Sequence, residues 1–368
     1  MCTLFINMMD LKTLKKPFNR KEGIEYWDRN KNDSRIILTG DIGGTNSRFA
    51  MIGITDDEFV LLHKKVYTSS ELSGVEEGIT RFLDSAEEEK KIAPDSAALS
   101  AAGPVKNNVC TLSNLHWEID GDKVGDRFGF PVLVINDFMG MSYGIPFLDP
   151  HNPEHLTVIR RPDGKEPEPA GPVSAIIGAG TGLGVGLLAD TGSRYLAFPS
   201  EGGHADYSSW DRETDALKDS VEDTEGFQVE SEHFISGAGI TRIYESVTGK
   251  KTGMKPAEIA EAGKTDPQAR KAMDLFIRSY GRFSGNAALF FLPYGGLFLG
   301  GGIVTKNIPF FLENHAFIRA FEHTERPKMR QLLSNIPVYI IKDYSVTLFG
   351  ASYALLSSGS PLQGAKHG

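Results

Sequence analysis

The stretch GDIGGTNSRFA occupies residues 40–50 and comes directly after the apolar residues Ile36, Ile37 and Leu38. Glycines around an aspartate and a threonine, placed after a strand-like run, are typical of a turn that lets another group approach the backbone closely. The runs RIILTG, SRFAMIGI and FVLLHKKVYTS predict a β-meander around this turn. A helical pattern at GVEEGITRFLDSAEEEKK and two short buried-strand patterns follow. Strands alternating with helices predict an α/β domain.

A second glycine-rich turn lies further along the chain, in SAIIGAGTGLGVGLLAD at residues 174–190. It repeats the order apolar strand, Gly-Thr-Gly turn, apolar strand. The proline-rich run at residues 150–172 predicts a boundary loop before it. Strand patterns at 295–302 and in VYIIKD, with a final helix TLFGASYALLSS, extend the α/β pattern to the second half. Either the chain uses a similar fold twice, or the two hairpins are alike by chance.

Composition excludes several classes of partner. The chain has 368 residues, enough for about two domains. Its 39 basic and 48 acidic residues give a net charge of −9, so we expect no nucleic-acid partner. No apolar run is long enough for a membrane span, and we expect no membrane partner. Cys2 and Cys110 cannot build a disulfide framework or a cysteine-rich zinc site, and a reducing cytoplasm is the expected location.

Spacing eliminates two familiar phosphate loops. A Walker loop would need glycine where Glu258 precedes the tripeptide GKT, and a dinucleotide fingerprint starting at Gly178 would need glycine at Leu183. What remains is a hairpin turn whose backbone N–H groups bind phosphate, or a plain turn. Only the first turn carries a carboxylate, Asp41, which suits Mg²⁺ directly or through its waters. Thr45 and Thr181 offer hydroxyl groups to phosphate oxygens.

Polar residues next to the apolar runs are candidates for the acceptor side. Asn136 and Asp137 end the run VLVIND, a common place for functional residues in parallel sheets, although they would also suit a helix cap. Glu201 and His204 lie in EGGHADY, and Glu232 lies in SEHFISG. A carboxylate accepts from two hydroxyls and a histidine both donates and accepts, as a buried sugar requires. For His204 a metal ligand or a structural histidine is the alternative, but no second ligand lies at metal spacing.

The motifs GDIGGTNSR, INDF, GAGTGLG, EGGHADY, SEHFISGAG, GGGIV and LFGASYAL occur in an order that resembles the bacterial-type glucokinases of the sugar-kinase/actin/chaperone-ATPase superfamily. The resemblance runs from about residue 35 to 358. The chain lacks the cysteine-rich zinc segment of the related repressor/kinase sugar kinases, which favours the non-zinc branch. The resemblance implies an α/β fold with two hinged ribonuclease-H-like domains, the hexokinase/actin-like ATPase fold. The expected division is an N-terminal extension at 1–34, a small domain at 35–147 completed by the C-terminal helix 344–368, and a large domain at 148–343.

The same resemblance implies ATP-dependent phosphorylation of D-glucose at O6, with Asp137 as general base. It places Asn136 and Asp137 at the O4 and O6 end of the sugar, and Glu201, His204 and Glu232 at the O1 to O3 end. Mg²⁺ would be held at Asp41, directly or through water. It assigns the nucleotide to Asp41, Gly43, Gly44, Thr45, Gly180, Thr181, Gly182, Gly237, Gly300, Gly301 and Gly302. The family also implies a cytoplasmic homodimer that acts in glycolysis.

Two alternatives remain at this level. The chain is a kinase for another hexose, because phosphate loops are indifferent to the acceptor, or a catalytically silent sugar or ATP sensor. Asp137 weighs against the silent sensor, which needs no base. We also expect that Glu232→Gln raises the glucose KM far more than the ATP KM, because Glu232 is expected to touch no phosphate loop.

Overall fold

A computed structural model describes residues 18–27, 34–55, 58–112 and 115–358 of the chain. Its contacts separate two compact units. Of the described residues, those from 18 to 152, 190–199 and 343–358 form the first unit, and 153–189 with 200–342 form the second. Residues 190–199 therefore cluster with the first unit, although the sequence interpretation placed them in the large domain.

The first part of the chain is rich in strands. The strands are β1 (Asn19–Glu22), β2 (Arg35–Ile42), β3 (Asn46–Ile54), β4 (Glu58–Thr68), β5 (Ser96–Ala101), β6 (Val105–Lys106), β7 (Val109–Thr111), β8 (Glu118–Asp120) and β9 (Val132–Asn136). The α-helices are α1 (Val75–Lys90), α2 (Gly121–Phe128) and α3 (Asp137–Gly144), and short 3-10 helices lie at Ile24–Tyr26, Ser69–Glu71 and Ile145–Phe147.

The remainder of the chain is richer in helices. Its strands are β10 (Leu156–Val158), β11 (Val173–Ala179), β12 (Leu183–Asp190), β13 (Tyr195–Ser200), β14 (Gly296–Gly300) and β15 (Val338–Ile341). Its α-helices are α4 (Arg212–Glu225), α5 (Gly237–Thr248), α6 (Pro256–Ala262), α7 (Pro267–Phe291), α8 (Gly302–Lys306), α9 (Ile308–Leu312), α10 (Ala316–Phe321), α11 (Pro327–Leu333) and α12 (Val346–Ser357). Single 3-10 turns lie at Gly202–His204, Ser231–His233 and Glu313–His315.

The first unit is built on a six-stranded sheet in the order β1-β4-β3-β2-β5-β9. Strands β2, β3 and β4 form the antiparallel meander that the sequence predicts, and β5 and β9 add to it in parallel. One face packs Phe49 and Met51 against Ile79 and Phe82 of α1 in a single apolar cluster. The C-terminal helix α12, apolar on all sides and largely buried, packs against α3, β2 and β5.

Residues 18–27 differ from the expectation of an N-terminal extension outside the core. Strand β1 pairs in parallel with β4, and Phe18 is 4% exposed, with its ring against those of Phe59, Phe147 and Tyr353. Arg20 forms an ion pair with Asp343 at 2.5 Å. This segment is thus an edge strand of the first unit, while residues 1–17 and 28–33 of the expected extension lie outside the described residues.

The second unit contains a sheet with the order β10-β15-β14-β11-β12. Strands β11 and β12 form an antiparallel hairpin, and β14 and β15 continue from β11 in parallel. The long helix α7 packs against α5, α6 and α10, and its Tyr280 hydroxyl donates to the carbonyl of Ile177 at 2.8 Å. Within the parts of the chain that are described, no helix is both long and apolar enough to cross a bilayer.

One buried arginine of the proline-rich run contacts the helical segments of the second unit. Arg161 is 3% exposed and forms an ion pair with Glu322 at 2.6 Å. Its guanidinium also donates to the carbonyls of Leu333 and Ile336. Because a buried cation with a carboxylate and carbonyl acceptors is fully satisfied, this contact holds the start of the loop against the helical layer.

Candidate functional site

The first glycine-rich turn connects β2 to β3, and its conformation is fixed by hydrogen bonds within the turn and from Ser69. The Gly43 N–H donates to the Asn46 carbonyl at 3.0 Å, and the Ser69 N–H donates to the Thr45 carbonyl at 2.9 Å. The Ser69 hydroxyl donates to the Gly43 carbonyl at 2.7 Å. Among the described residues no acceptor takes a hydrogen bond from the N–H of Gly44 or Thr45. The turn therefore presents unpaired donors of the kind that bind an anion.

Asp41 lies one residue before the end of β2, opposite Arg48 on β3. The Arg48 guanidinium contacts the Asp41 carboxylate at 2.8 Å. Burial raises the pKa of Asp41, and the charge and hydrogen bond of Arg48 act in the opposite direction. Since Mg²⁺ usually takes one or two protein carboxylates and keeps several waters, a single partly buried carboxylate beside the glycine-rich turn fits the donor set that this ion requires.

Asn136 and Asp137 lie at the same edge of the first sheet as the turn. Ile42 pairs with Ala101 on β5, and Ala101 pairs with Asn136 on β9. Because neighbouring strands are about 4.8 Å apart, Asn136 lies roughly 10 Å across the sheet from the end of β2. The sheet thus brings Asp137, the candidate base, and the first glycine-rich turn to the same end of its strands, although they are far apart in sequence.

Asn136 is also a helix cap, the alternative considered from the sequence. Its side-chain oxygen accepts from the Phe138 N–H at 2.9 Å, and its amide donates to the Gly103 carbonyl at 3.1 Å. Asp137 is the first residue of α3, and its carboxylate also accepts from Phe138 N–H at 3.0 Å. These bonds fix both side chains and leave each with further hydrogen-bonding capacity, so the cap does not exhaust them.

The buried thiol of Cys110 lies within electrostatic range of Asp137. Burial raises the pKa of Cys110 to about 11, and the negative charge of Asp137 acts in the same direction. The thiol therefore stays protonated at neutral pH.

The second glycine-rich turn connects β11 to β12. The Gly180 N–H donates to the Gly182 carbonyl at 2.8 Å, and the Gly180 carbonyl accepts from the Gly237 N–H at the start of α5 at 2.9 Å. Within the described chain no group accepts from the N–H of Thr181 or Gly182. A Cβ built on Gly180 would meet nothing within 4 Å. Packing therefore does not require glycine at position 180, whereas the close approach of a ligand to the backbone would.

The segment 300–302 lies beside the same turn. Gly300 on β14 pairs with Gly178 on β11. Gly301 has a φ of +95°, and a Cβ there would lie 2.2 Å from the Ala179 carbonyl oxygen, so only glycine fits. A Cβ on Gly302 would meet no atom within 4 Å. In the second unit, three predicted nucleotide segments thus converge at the carboxyl end of β11.

The two segments that carry the candidate sugar residues both contact Leu183, the residue after the second turn. Gly203, between Glu201 and His204, lies so close that a Cβ on it would be 1.9 Å from the Leu183 carbonyl oxygen. The Glu232 carboxylate accepts from the Leu183 N–H at 2.8 Å. The expectation that Glu232 touches no phosphate loop is wrong, because Leu183 directly follows that loop. The contact is not apparent from the sequence because Leu183 and Glu232 are 49 positions apart.

His204 has a partner that the sequence interpretation missed. Its Nδ1 lies 2.7 Å from the carboxylate of Glu230, and this hydrogen bond is the main cause that raises the pKa of His204. Glu230 directly precedes the 3-10 turn Ser231–His233, and no periodicity of the sequence relates it to His204. No cluster of three or more His, Cys, Asp or Glu side chains suited to a metal occurs among the described residues. His204 therefore lacks a neighbouring ligand set and has its Nε2 left for another partner.

The fold and these paired turns define a class, the sugar kinases of the actin-like ATPase fold. The chain belongs to the glucokinase family, whose family model matches residues 38–358. It is 34% identical to a glucokinase from Nostoc punctiforme over 346 residues, which cover 86% of this chain and 98% of the relative. The expected fold class, family and enzyme class are thus confirmed: the protein is an ATP:hexose 6-phosphotransferase of the glucokinase type.

Solved structures agree with this assignment. A glucokinase from an Antarctic psychrotroph superposes with a TM-score of 0.75 at 28% identity, covering 88% of this chain and 99% of that one. A ROK family glucokinase from Streptomyces griseus, solved with glucose and AMPPNP, gives a TM-score of 0.56 at 21% identity and covers 86% and 97% of the two chains. The second likeness supports the fold alone.

Proposed function

We propose that the chain transfers the γ-phosphoryl group of ATP to the O6 hydroxyl of D-glucose, with Asp137 as the general base. The observation that carries the proposal is the strand register that connects Ile42, Ala101 and Asn136 across the first sheet. Roughly 10 Å between the first turn and the base leaves room for one phosphoryl group and the accepting hydroxyl. A cap or a plain turn alone requires no such placement.

The proposed phosphoryl transfer forms one bond, breaks one bond and moves one proton. The sugar O6 forms a bond to the γ-phosphorus, the bond from that phosphorus to the β,γ-bridging oxygen breaks, and ADP leaves. The O6 proton passes to the Asp137 carboxylate. Because phosphoryl transfer has a loose transition state, the proton moves late and a carboxylate of ordinary basicity suffices. The work of the protein is therefore to position the reactants and to stabilise charge.

The unpaired N–H groups of both turns are the proposed phosphate donors. They belong to Gly44 and Thr45 in the first turn, and to Thr181 and Gly182 in the second. Gly43 and Gly180 allow close approach of the phosphates, and Gly237 with Gly300, Gly301 and Gly302 would lie along the adenosine. Fixed backbone dipoles need no reorganisation during the reaction.

Asp41 is the residue we assign to Mg²⁺, through one of its oxygens or through water. Arg48 holds the carboxylate in place without enclosing it in a cage of side chains. When bound, the ion would neutralise charge on the phosphate oxygens. Asp41 would orient the hydrated ion, and the N–H groups of the turn would bind phosphate oxygens.

We assign the hexose hydroxyl groups to the five polar side chains that the sequence singles out for the sugar. Asn136 and Asp137 take the O4 and O6 end. Glu201, His204 and Glu232 take the O1 to O3 end, where the second oxygen of Glu232 and the Nε2 of His204 are available. A hexose with an inverted O4, or with a bulky substituent at C2, leaves one of these groups unpaired, which a hydroxyl-binding site can reject by as much as ~10⁴.

A coupled assay with ATP, Mg²⁺ and a panel of hexoses tests the proposal. Asp137→Asn should lower kcat by roughly 10²- to 10⁴-fold, the usual contribution of a positioned base, and leave the ATP KM nearly unchanged. The matched control is Asp126→Asn, an exposed carboxylate on α2 of the same unit. Near-normal kcat in folded Asp137→Asn contradicts the base assignment. Equal rates with glucose and N-acetylglucosamine favour a broader hexose kinase, and sugar binding without turnover favours a silent sensor.

The proposal extends to the cellular setting that the family implies. Its product, glucose 6-phosphate, would enter glycolysis, and the enzyme would act as a cytoplasmic homodimer with ATP rather than polyphosphate as donor. Sedimentation velocity checks the homodimer, and replacement of ATP by polyphosphate in the same assay checks the donor.

A further inference from the structure

The second unit contains a cavity that none of the candidate site residues lines. It measures about 350 Å³ and lies between the carboxyl-terminal half of α7 and the loop 200–208. Helix α7 contributes Arg282, Asn286 and Phe290, and the opposite wall includes Ala205, Tyr207 and Ser231. Cavities of about 300–1,000 Å³ are the usual size for small-molecule sites, and this one is lined mainly by apolar surface.

Two polar side chains that line the cavity, Arg282 and Asn286, keep hydrogen-bonding groups without a partner among the described residues. The Arg282 guanidinium donates to the His323 carbonyl, but its Nε is buried without a hydrogen-bond partner. Burial alone lowers the pKa of Arg282, and no carboxylate opposes that effect. Asp206 also lines the cavity, but it is exposed and does not neutralise Arg282. The Asn286 amide has no hydrogen bond to any other described residue.

The rest of the wall suits a flat apolar body. Phe283 and Phe291 line the cavity, and Phe290 at its mouth is 83% exposed. An exposed ring beside an apolar cavity offers a face on which an aromatic ligand can stack. A partly buried cation beside aromatic surface is complementary to a molecule that combines a negative group with an aromatic ring.

The cavity is positioned to affect the candidate sugar residues. Gly202 and Ala205 line it on either side of the segment that carries His204, and Ser231 lines it directly before Glu232. The Ser231 N–H donates to the Ala205 carbonyl at 2.8 Å, so the two wall segments are bonded to each other. A molecule in the cavity would contact both segments without touching the sugar-binding side chains.

We propose that this cavity is an effector site for a small aromatic anion, with the negative group on Arg282 and the ring against Phe283, Phe290 and Phe291. Occupancy stabilises the arrangement of the loop 200–208 and the segment at Ser231, and it thereby increases the affinity for glucose. The coupling to glucose rests on the proposed function, whereas binding of the anion does not. A second copy of this chain covering Phe290 is the competing occupant.

The binding test uses 1-anilinonaphthalene-8-sulfonate as the anionic probe and N-phenyl-1-naphthylamine as a neutral probe with nearly the same rings. Fluorescence titration of the wild type should give a saturable site for the sulfonate. Arg282→Gln should weaken the sulfonate about tenfold, the size expected for one charge-assisted hydrogen bond, and leave the neutral probe unchanged. Arg278→Gln, one turn earlier on α7 and paired with Glu213, is the matched control and should retain sulfonate binding.

A second variant keeps the test decisive if Arg282→Gln does not fold. Asn286→Phe breaks no hydrogen bond seen in the described chain and fills the cavity, so it should abolish binding of both probes. Equal sulfonate affinity in the wild type and both folded variants overturns the site. Loss of probe binding as the protein concentration rises, in parallel with dimer formation by sedimentation, assigns the surface to a second copy instead and also overturns it.

The coupling is measured on the wild type by glucose titration with and without saturating sulfonate. We expect the glucose affinity to increase severalfold, and glucose must increase the sulfonate affinity by the same factor because linkage is reciprocal. Sulfonate binding that depends on Arg282 but leaves glucose affinity unchanged or lowers it overturns the effector role. Failure to phosphorylate glucose without any probe overturns the proposed function, and the two failures are therefore distinct.

Discussion

In the first glycine-rich turn the carboxylate and its partner belong to the hairpin itself, since Asp41 on β2 contacts Arg48 on β3 at 2.8 Å. In the second turn the carboxylate comes from outside, since Glu232 binds the N–H of Leu183 from 49 residues further along the chain. Both turns leave two adjacent N–H groups with no acceptor among the residues that the structure describes. The same anion-binding geometry is thus supported locally in one unit and by the candidate sugar segment in the other.

This difference has a consequence for coupling between substrates. A change at Asp41 should act on the phosphates and the metal, because its neighbours belong to the hairpin and the sheet below it. A change at Glu232 should act on two substrates at once, because the same carboxylate is assigned to glucose and fixes the residue after the second turn. Variants at the two turns can therefore test whether local and remote support are functionally distinct.

The largest effect is expected at the first turn. Asp41→Asn keeps the shape of the side chain but removes the charge that would orient the hydrated ion. We expect the Mg²⁺ concentration for half-maximal rate to rise by roughly 10- to 100-fold, as for other residues that act on a metal through its shell. Glu232→Gln, at the second turn, is the matched control and should leave the Mg²⁺ requirement unchanged. An equal shift in both variants would remove the distinction between the turns.

The glycines of the second unit provide the next comparison. Gly203→Ala places a Cβ 1.9 Å from the Leu183 carbonyl oxygen and should lower the free energy of unfolding by about 1–3 kcal/mol, as overpacking does. Gly180→Ala meets no atom within 4 Å and should change it by less than about 0.5 kcal/mol. Urea unfolding measures both. The ATP KM should nevertheless rise in Gly180→Ala, because the added methyl group occupies the side from which the phosphate approaches.

A normal ATP KM in Gly180→Ala would mean that this glycine serves neither packing nor ligand. Gly43 in the first turn lies between the two cases, since its Cβ would approach the Asn46 carbonyl to 3.3 Å. The comparison of the three glycines therefore separates backbone packing from ligand approach.

A smaller effect is expected from the carboxylate that links the two substrates. Glu232→Gln keeps an acceptor for the Leu183 N–H but loses the charge-assisted part of the bond. We expect the KM values for glucose and for ATP both to rise, by roughly fivefold to tenfold. Glu201→Gln is the matched control, because Glu201 is exposed and its side chain has no hydrogen bond to another described residue. It should raise the glucose KM alone; an unchanged ATP KM in Glu232→Gln would contradict the link.

Local patterns in the sequence predict the part of the site that depends on local geometry. The meander around residues 40–50 follows from alternation and glycine turns, and Arg48 faces Asp41 because each lies two or three residues from a short turn. The position of Asn136 follows from the rule that functional residues end parallel strands. In these cases hydrogen bonding within a hairpin or a sheet edge restricts the structure to few possibilities.

Contacts between irregular segments are not predictable in this way. His204 and Glu230 are 26 residues apart and belong to 3-10 turns and loops, so no period relates them. Strand β1 has only four residues in a polar context, and it is stabilised by a parallel pairing with β4 and by the burial of Phe18. Such contacts depend on the tertiary arrangement, which outweighs local propensity.

The electrostatic surroundings of His204 extend the comparison to pH. The hydrogen bond to Glu230 raises the pKa of His204 above its usual 6.5, and the charges of Glu232, Glu230 and Glu201 act in the same direction. His233, on the neighbouring 3-10 turn, lies within electrostatic range of His204. At the first turn the ionisable pair is instead Asp41 with Arg48, where burial raises the pKa of Asp41.

The smallest predicted effect concerns the pH dependence of glucose binding. Because folding raises the pKa of His204, its pair with Glu230 contributes fully below pH 6.5 and is lost as the pH rises through the raised pKa. The protonated ring donates from Nε2 to a sugar hydroxyl, so the glucose KM should rise by roughly threefold to fivefold across that interval, the difference between a charged and a neutral donor. Glu230→Gln should shift the midpoint of this rise toward pH 6.5, whereas Glu225→Gln, an exposed carboxylate at the end of α4, should not. The ATP KM, measured over the same pH range, should stay level in all three proteins. An identical midpoint in the wild type and Glu230→Gln would show that Glu230 does not set the charge of His204.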